Sequence, residues 1–269
     1  MSNKNLKIDF FVVGSQRCGT TWIDKALRST GKVFLPENKQ TYFFDRNYEL
    51  GLDWYEKHFE SNDGYKCVGE VATGYCLDGA VDLLAKHYPE AKIILAVREP
   101  VSRAYSNYVK RREDYQGLSF EEAMMSDSDL VERGLYGDML DRLLKYYPLE
   151  QIEVVFFDDL ESDPKRFFHQ IADFLKIDGE VDERLFSQNV NSSLLEGVSK
   201  WAKKMKLYFV IKFLKKIGLT SIIRRIIYRL HQVKKQPDFI RSPKLIRIFS
   251  DSNKRLEEFS KRNMSAWIK

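Results

Sequence analysis

Apolar runs along the first two thirds of the chain alternate with amphipathic stretches. Five short runs predict buried strands, at 8–13, 33–35, 66–71, 92–97 and 152–157. The stretches between them carry apolar residues at helical spacing and predict helices at 21–30, 49–60, 77–88, 101–114, 119–126, 136–147 and 163–176. Alternation of this kind is typical of an α/β fold. The sequence therefore predicts a three-layer structure, with helices flanking a central, mainly parallel sheet.

The pattern changes after about residue 187, where only helical periodicity remains. The segments 199–216 and 219–233 are basic and amphipathic, and 243–262 is predicted to be a final polar helix. We therefore expect an α/β core at 1–190. We expect a helical C-terminal subdomain at 191–269, packed on the same domain.

A polar loop bounded by Gly14 and Gly19 follows the first predicted strand and leads into an amphipathic helix. A strand, a glycine-bounded loop and a helix together direct backbone N–H groups and a helix N-terminus at a phosphate. The two glycines have the spacing of the nucleotide-binding P-loop, but Thr20 stands where that loop has its lysine, and Arg17 supplies a cation instead. The alternative is an ordinary helix capped by Thr20 or Thr21.

The stretch Arg17-Cys18-Gly19-Thr20-Thr21-Trp22 resembles the 5′-phosphosulfate loop of the sulfotransferases that use 3′-phosphoadenosine 5′-phosphosulfate (PAPS). A second segment, 98–108, follows the strand at 92–97 and resembles the 3′-phosphate segment of that family. Within it, Pro100 suits the first turn of a helix that would place Ser106 near Arg98. The alternative for Arg98 is an ion pair with Glu99.

This resemblance implies a P-loop-like fold and transfer of a sulfuryl group from PAPS to an acceptor hydroxyl. The product would be 3′,5′-ADP, and no metal is required. The residues that it implies for donor binding are Arg17, Cys18, Gly19, Thr20, Thr21, Trp22, Arg98 and Ser106. Arg17, with the N–H groups of the loop, would stabilise the charge that develops on the leaving oxygen. Trp22 would stack on the adenine, or would pack in the core of the first helix.

A hydroxyl acceptor needs a general base. Carbohydrate sulfotransferases of this family often carry Lys-Glu-x-x-Phe-Phe with the glutamate as base, and the matching stretch here has Gln40, which cannot take a proton. The candidates that remain are Glu37, in the same loop, and Glu70, at a strand end. We prefer Glu70, which we expect to face the cleft with a low pKa. Lys39 would contact the donor sulfate or the acceptor, or would be a surface lysine.

The composition of the chain and its cysteine content indicate the cellular compartment. The 269 residues are 43% apolar with a net charge of +5, and three cysteines are too few and too scattered for a disulfide framework or a zinc site. The first residues lack the apolar core of a signal peptide, and no window reaches 18 apolar residues. We therefore expect a cytoplasmic, bacterial enzyme.

The positive charge is concentrated in one segment, since residues 200–235 hold twelve of the 44 basic residues and no acid. This segment forms a solvated face, a groove for an anionic acceptor, or a peripheral contact with a membrane surface. The acceptor is expected to be a small molecule or glycan, such as a carbohydrate or natural product, and no nucleic-acid partner is expected.

Two other functions stay open at this point. A P-loop phosphotransferase of the kinase type is disfavoured by Thr20 and by the lack of an acidic Mg²⁺ ligand after a strand. A non-catalytic nucleotide-binding protein would keep the phosphate loop and lack a base at Gln40.

Overall fold

The computed structural model describes residues 7–60, 62–77, 79–187 and 242–268. Its sheet consists of β1 (Phe10–Gly14), β2 (Val33–Phe34), β3 (Cys67–Val71), β4 (Lys92–Val97) and β5 (Ile152–Phe156). The strands lie in the order β2-β3-β1-β4-β5, and all neighbours are parallel. Each of the five predicted strands is confirmed.

Helices connect the strands and flank the sheet. They are α1 (Thr20–Ser29), α2 (Phe43–Arg46), α3 (Leu52–Glu56), α4 (Ala80–His87), α5 (Pro100–Lys110), α6 (Phe120–Ser126), α7 (Ser128–Glu132), α8 (Tyr136–Leu144), α9 (Phe157–Ser162), α10 (Pro164–Leu175), α11 (Glu183–Ser187), α12 (Pro243–Ser260) and α13 (Ser265–Ile268). Short 3₁₀ turns cover Tyr48–Leu50, Lys57–Phe59 and Leu149–Gln151. The predicted α/β fold class is confirmed. No helix in the described part of the chain is long and apolar enough to cross a membrane.

The central strands β1 and β4 form the core of the sheet. Every residue of β1 is buried, and so is every residue of β4 after Lys92, as expected for parallel strands covered on both faces. Because all strands are parallel, the segments that follow β1, β3 and β4 emerge at one edge of the sheet. Open α/β sheets bind ligands at this carboxyl edge.

The predicted helix at 49–60 is interrupted in the structure. Gly51 has a φ of 81°, a left-handed value that ends one short helix and begins the next. Five further helices in the described part of the chain, α2, α7, α9, α11 and α13, were not predicted. The helix α9 follows β5 without an intervening loop, so that its first residue, Phe157, was included in the predicted strand.

The C-terminal helix α12 packs on α8 of the α/β unit. The backbone N–H of Gly137 donates to the Ser252 hydroxyl over 2.8 Å, and a Cβ on Gly137 would lie 2.4 Å from the Ser252 carbonyl oxygen. The predicted helix at 243–262 is thus confirmed. The predicted helices at 199–216 and 219–233 lie outside the described residues, and the division into a core and a C-terminal subdomain stays a prediction.

Candidate active site

The loop between β1 and α1 lies at the carboxyl edge of the sheet, and a buried side chain attaches it to the rest of the protein. The Ser15 side chain is fully buried, and its hydroxyl donates to the Arg133 carbonyl over 2.6 Å. Gly19 is the N-cap of α1, and no side chain among the described residues caps the helix. The backbone N–H groups of Thr20 and Thr21 likewise donate to no acceptor in the described part of the chain. The alternative of a threonine-capped helix is therefore wrong, and the first turn of α1 can bind an anion.

Gly19 is required by both its conformation and its surroundings. Its φ is +83°, and a Cβ would lie 2.7 Å from Leu160 Cδ2 and 3.2 Å from Phe157 Cδ2. Real Cβ atoms do not approach other atoms that closely, so α9 can lie against the loop only because residue 19 has no side chain.

Arg17, Arg98 and Ser106 meet beside this loop. The Arg17 Nε donates to the Ser106 hydroxyl over 3.0 Å, and an Arg98 guanidinium nitrogen lies 3.4 Å from the Arg17 carbonyl oxygen. The Arg98 guanidinium also lies over the Phe157 ring, 4.3 Å from its centroid, which fixes its orientation. Two segments about 80 residues apart in sequence thus place two cations and a hydroxyl together.

The helix α5 begins at Pro100, as the sequence predicts, and brings Ser106 to this position. Its first turn is capped by Glu99, whose carboxylate accepts from the N–H groups of Val101 over 3.1 Å and Ser102 over 2.7 Å. The carboxylate therefore orders the turn that directs Arg98 and Ser106 to the same side.

Two residues predicted to contact the donor have buried side chains. Trp22 is 7% exposed, and its indole N–H donates to the Leu185 carbonyl over 3.2 Å. The core position for Trp22, rather than stacking on adenine, is the alternative that the structure supports. The Cys18 thiol lies 3.6 Å from the Tyr136 hydroxyl, and burial raises its pKa to about 11. It is therefore a neutral thiol beneath the loop.

Lys39 reaches the first turn of α1 from the loop between β2 and α2. Its Nζ donates to Thr20 Oγ1 over 3.0 Å and to Thr21 Oγ1 over 3.4 Å. Burial lowers the pKa of Lys39 to about 8, with a smaller opposing effect of Asp24 and a further lowering by Lys110. The Lys39 ammonium therefore lies beside the first turn of α1 and is half-buried.

Gln40 uses both ends of its amide within the protein. Its Oε1 accepts from the Thr73 backbone N–H over 3.0 Å and from the Thr73 hydroxyl over 3.1 Å. Its Nε2 donates to the Tyr42 hydroxyl over 3.4 Å. Residue 40 thus ties the loop to the segment after β3, and it supplies no group that can accept a proton.

Glu70 is enclosed, which differs from the expectation of a carboxylate facing the cleft. Its Oε1 accepts from Thr41 N over 2.6 Å and Thr41 Oγ1 over 2.9 Å, and its Oε2 accepts from the hydroxyls of Tyr55 over 2.9 Å and Tyr75 over 3.1 Å. Its side chain is 0% exposed, and burial raises its pKa. The predicted low pKa is therefore wrong. The assignment of Glu70 as base stays a prediction, and so does that of Glu37, which lies exposed in the loop before Lys39.

A further carboxylate, Asp45, lies close to the Gln40 contacts. A Cβ on Gly74 would be 2.1 Å from Asp45 Oδ2, so Asp45 packs directly on the segment after β3. Its Oδ1 is buried without a hydrogen-bond partner among the described residues, and burial raises its pKa. The signal in the sequence was the aspartate that ends the stretch Tyr42-Phe43-Phe44-Asp45, five residues beyond the expected position of the base at residue 40.

Comparison with known proteins shows what this chain is similar to. The family described as a sulfotransferase domain matches residues 7–200. Heparan sulfate glucosamine 3-O-sulfotransferase 6 of Homo sapiens is 30% identical, and the match covers 66% of this chain and 55% of the relative. The membrane-associated sulfotransferase kil1 of Dictyostelium discoideum is 22% identical over 63% of this chain and 56% of the relative. The chain thus spans little more than half the length of these relatives.

Among solved structures, a sulfotransferase from Alicyclobacillus acidocaldarius has a similar fold. The TM-score is 0.69 at 22% identity, and the match covers 98% of this chain and 100% of the other. At this identity the likeness concerns the fold, which agrees with the P-loop-like arrangement of β1, its loop and α1.

Proposed function

Because the chain belongs to the sulfotransferase family, we propose that it transfers a sulfuryl group from PAPS to a hydroxyl of a carbohydrate or other natural product. The observation that carries the proposal is the meeting of Arg17, Arg98 and Ser106 beside the uncapped first turn of α1. The first turn of α1 suits the phosphosulfate of the donor, and Arg98 with Ser106 suits its 3′-phosphate.

The first turn of α1 supports the phosphosulfate end of this proposal. It presents the N–H groups of Thr20 and Thr21, and a cation, Lys39, lies within hydrogen-bond distance of both side chains. Positive groups held in place before the reaction stabilise the charge that develops on the leaving oxygen, because they need not reorient as that charge forms.

Arg98 and Ser106 support the 3′-phosphate end. Both come from the turn and helix that follow β4, next to β1 in the sheet, so their separation from the loop is fixed by the strand order. A phosphate between them would receive charge-assisted hydrogen bonds, which are stronger than bonds between neutral groups.

Calorimetry with two nucleotides tests the donor assignment. We expect 3′,5′-ADP to bind far more tightly than 5′-AMP, and Arg98→Ala to weaken 3′,5′-ADP binding by about 10- to 150-fold, since such a bond contributes roughly 1.5–3 kcal/mol. Binding of 5′-AMP should change little in the variant, so the preference for the 3′-phosphate disappears.

The matched control is Arg166→Ala, which removes an exposed guanidinium from α10. It should leave both affinities unchanged. Equal affinity of the wild-type protein for the two nucleotides would contradict the proposed 3′-phosphate site. A screen of hydroxyl-bearing acceptors with radiolabelled PAPS then identifies the acceptor class.

A further inference from the structure

We propose that Lys39, rather than Arg17, is the cation that stabilises the leaving oxygen of the donor. This inference rests on the proposed sulfuryl transfer and assigns a role within it. It replaces the assignment of Arg17, which the loop sequence alone favours.

The first argument is the position of the ammonium group. Thr20 occupies the place in sequence where a P-loop has its lysine. The Lys39 Nζ lies 3.0 Å from the hydroxyl of this same Thr20 and 3.4 Å from that of Thr21. Lys39 lies 19 residues after Thr20 in the sequence, and it places a positive charge at the first turn of α1, where a P-loop lysine would otherwise lie.

The second argument is the direction of Arg17. Its Nε is engaged with the Ser106 hydroxyl, and its carbonyl oxygen faces the Arg98 guanidinium. Its charge therefore lies on the side assigned to the 3′-phosphate, which leaves Lys39 as the cation beside the Thr20 and Thr21 hydroxyls.

The third argument is the charge around Lys39. Its hydrogen-bond partners are two neutral hydroxyls. The charged groups that face it are Asp24 of α1, which already pairs with Arg28 over 3.1 Å, and Lys110 of α5, which repels it. Half-buried without an ion pair among the described residues, the ammonium is destabilised, in agreement with its lowered pKa of about 8. An anionic donor would supply the missing negative charge.

The proposed step is a displacement at sulfur. The acceptor oxygen forms a bond to sulfur and loses its proton to a base, while the bond from sulfur to the bridging oxygen breaks. The electron pair of that bond stays on the bridging oxygen, which becomes a terminal oxygen of the 5′-phosphate in 3′,5′-ADP. Lys39 keeps its proton throughout and donates a hydrogen bond to this oxygen as its charge increases.

Proton uptake measured by calorimetry tests the contact without an acceptor. We expect 3′,5′-ADP binding between about pH 7 and 10 to be accompanied by uptake of a fraction of a proton, because part of Lys39 is neutral in the free protein and becomes protonated beside the phosphate. Titrations in two buffers with different ionisation enthalpies measure this number. Lys39→Met should abolish the uptake, and Lys25→Met, which changes an exposed lysine on α1, should retain it.

Lys39→Arg provides a second variant that keeps the charge. An arginine stays protonated at every pH used, so nucleotide binding should persist with no proton uptake. In a transfer assay, kcat/KM for PAPS should fall above about pH 8 in the wild-type protein and should stay level in Lys39→Arg. Lys39→Met should lower kcat by about 10²- to 10³-fold, the range for loss of one donor to a developing oxyanion.

The outcomes separate the two proposals. Proton uptake that persists in Lys39→Met, or an unchanged kcat in that variant, would each contradict the role of Lys39 and leave the sulfotransferase proposal intact. Failure of 3′,5′-ADP to bind the wild-type protein would contradict the proposed function, and this inference with it.

Discussion

At the residue scale, the unusual feature is the amide at position 40. Its oxygen accepts two hydrogen bonds from Thr73, and its nitrogen donates to the Tyr42 hydroxyl. A hydroxyl acceptor must therefore transfer its proton to a carboxylate elsewhere. Glu70 and Glu37 are the candidates from the sequence, and the structure adds Asp45.

Glu70→Gln should lower the melting temperature as well as kcat. The carboxylate accepts four hydrogen bonds in a fully buried position, and an amide would place two donors against the Thr41 N–H or the tyrosine hydroxyls. A buried polar group without a partner costs about 1–3 kcal/mol. Thermal unfolding and a transfer assay on the same preparation measure both effects.

Asp45→Asn and Glu37→Gln are the comparison variants. A base that acts only on the acceptor should reduce kcat by about 10²- to 10⁴-fold when it is changed, with little change in stability or in 3′,5′-ADP affinity. If Glu70→Gln lowers kcat and leaves the melting temperature unchanged, the structural role argued for the Glu70 network is wrong, and Glu70 is the base.

At the scale of elements, the close approach of α9 to the phosphate loop depends on Gly19. Gly19→Ala should weaken 3′,5′-ADP binding by at least about tenfold, because a Cβ at 2.7 Å from Leu160 must displace either the loop or α9. The matched control is Gly31→Ala, which has a similar positive φ of +64° with nothing within 4 Å. Calorimetry should show unchanged nucleotide affinity in the control, with a loss of stability of about 1 kcal/mol from the backbone conformation alone.

Equal nucleotide affinities in these two glycine variants would show that the loop and α9 can separate without cost. Both glycines have a positive φ, so the difference between the two variants measures the contact between the loop and α9 and not the cost of the backbone conformation.

The elements themselves differed in how far the sequence predicted them. All five strands were predicted, because a strand buried on both faces reads as a continuous apolar run. The position of Trp22 was also contained in the pattern, since Trp22, Ile23, Ala26 and Leu27 form the buried face of α1. The helices α2, α7, α9, α11 and α13 were missed, since each has six residues or fewer and α9 begins directly after a strand.

The sequence predicted those parts of the candidate site that lie within a local motif, and it did not predict contacts between distant segments. Arg17, Arg98 and Ser106 were found because two local motifs resemble the phosphate-binding segments of a known family. The environment of Glu70 could not be predicted in this way, since its partners, Thr41, Tyr55 and Tyr75, come from separate segments. The same holds for Lys39, whose contact with Thr20 joins two loops.

At the scale of the whole molecule, α12 completes the core around α8. Phe249 is fully buried and lies against Gly134, and Tyr136 at the start of α8 contacts both the Cys18 thiol and the Arg98 backbone N–H. Phe249→Ala should lower the free energy of unfolding by about 3–5 kcal/mol. Denaturant unfolding followed by tryptophan fluorescence and by circular dichroism measures the loss.

Lys254→Ala, an exposed change on the same helix, should alter the free energy of unfolding by less than about 0.5 kcal/mol. If Phe249→Ala also changes the free energy of unfolding by less than about 0.5 kcal/mol, α12 is not part of the cooperative core.

The sheet order also separates the two halves of the site by how firmly each is held. Arg17, Arg98 and Ser106 follow β1 and β4 in the centre of the sheet, whereas the loop that carries Lys39 and Gln40 follows β2, an edge strand of two residues. That loop is attached to the centre by side-chain hydrogen bonds of Lys39 to Thr20, of Gln40 to Thr73 and of Thr41 to the buried Glu70 carboxylate. An edge segment held by a few side-chain contacts is a suitable unit for grafting: the loop of a relative could be transplanted together with its buried glutamate, provided that a lysine is kept at position 39, while Arg17, Arg98 and Ser106 stay in place.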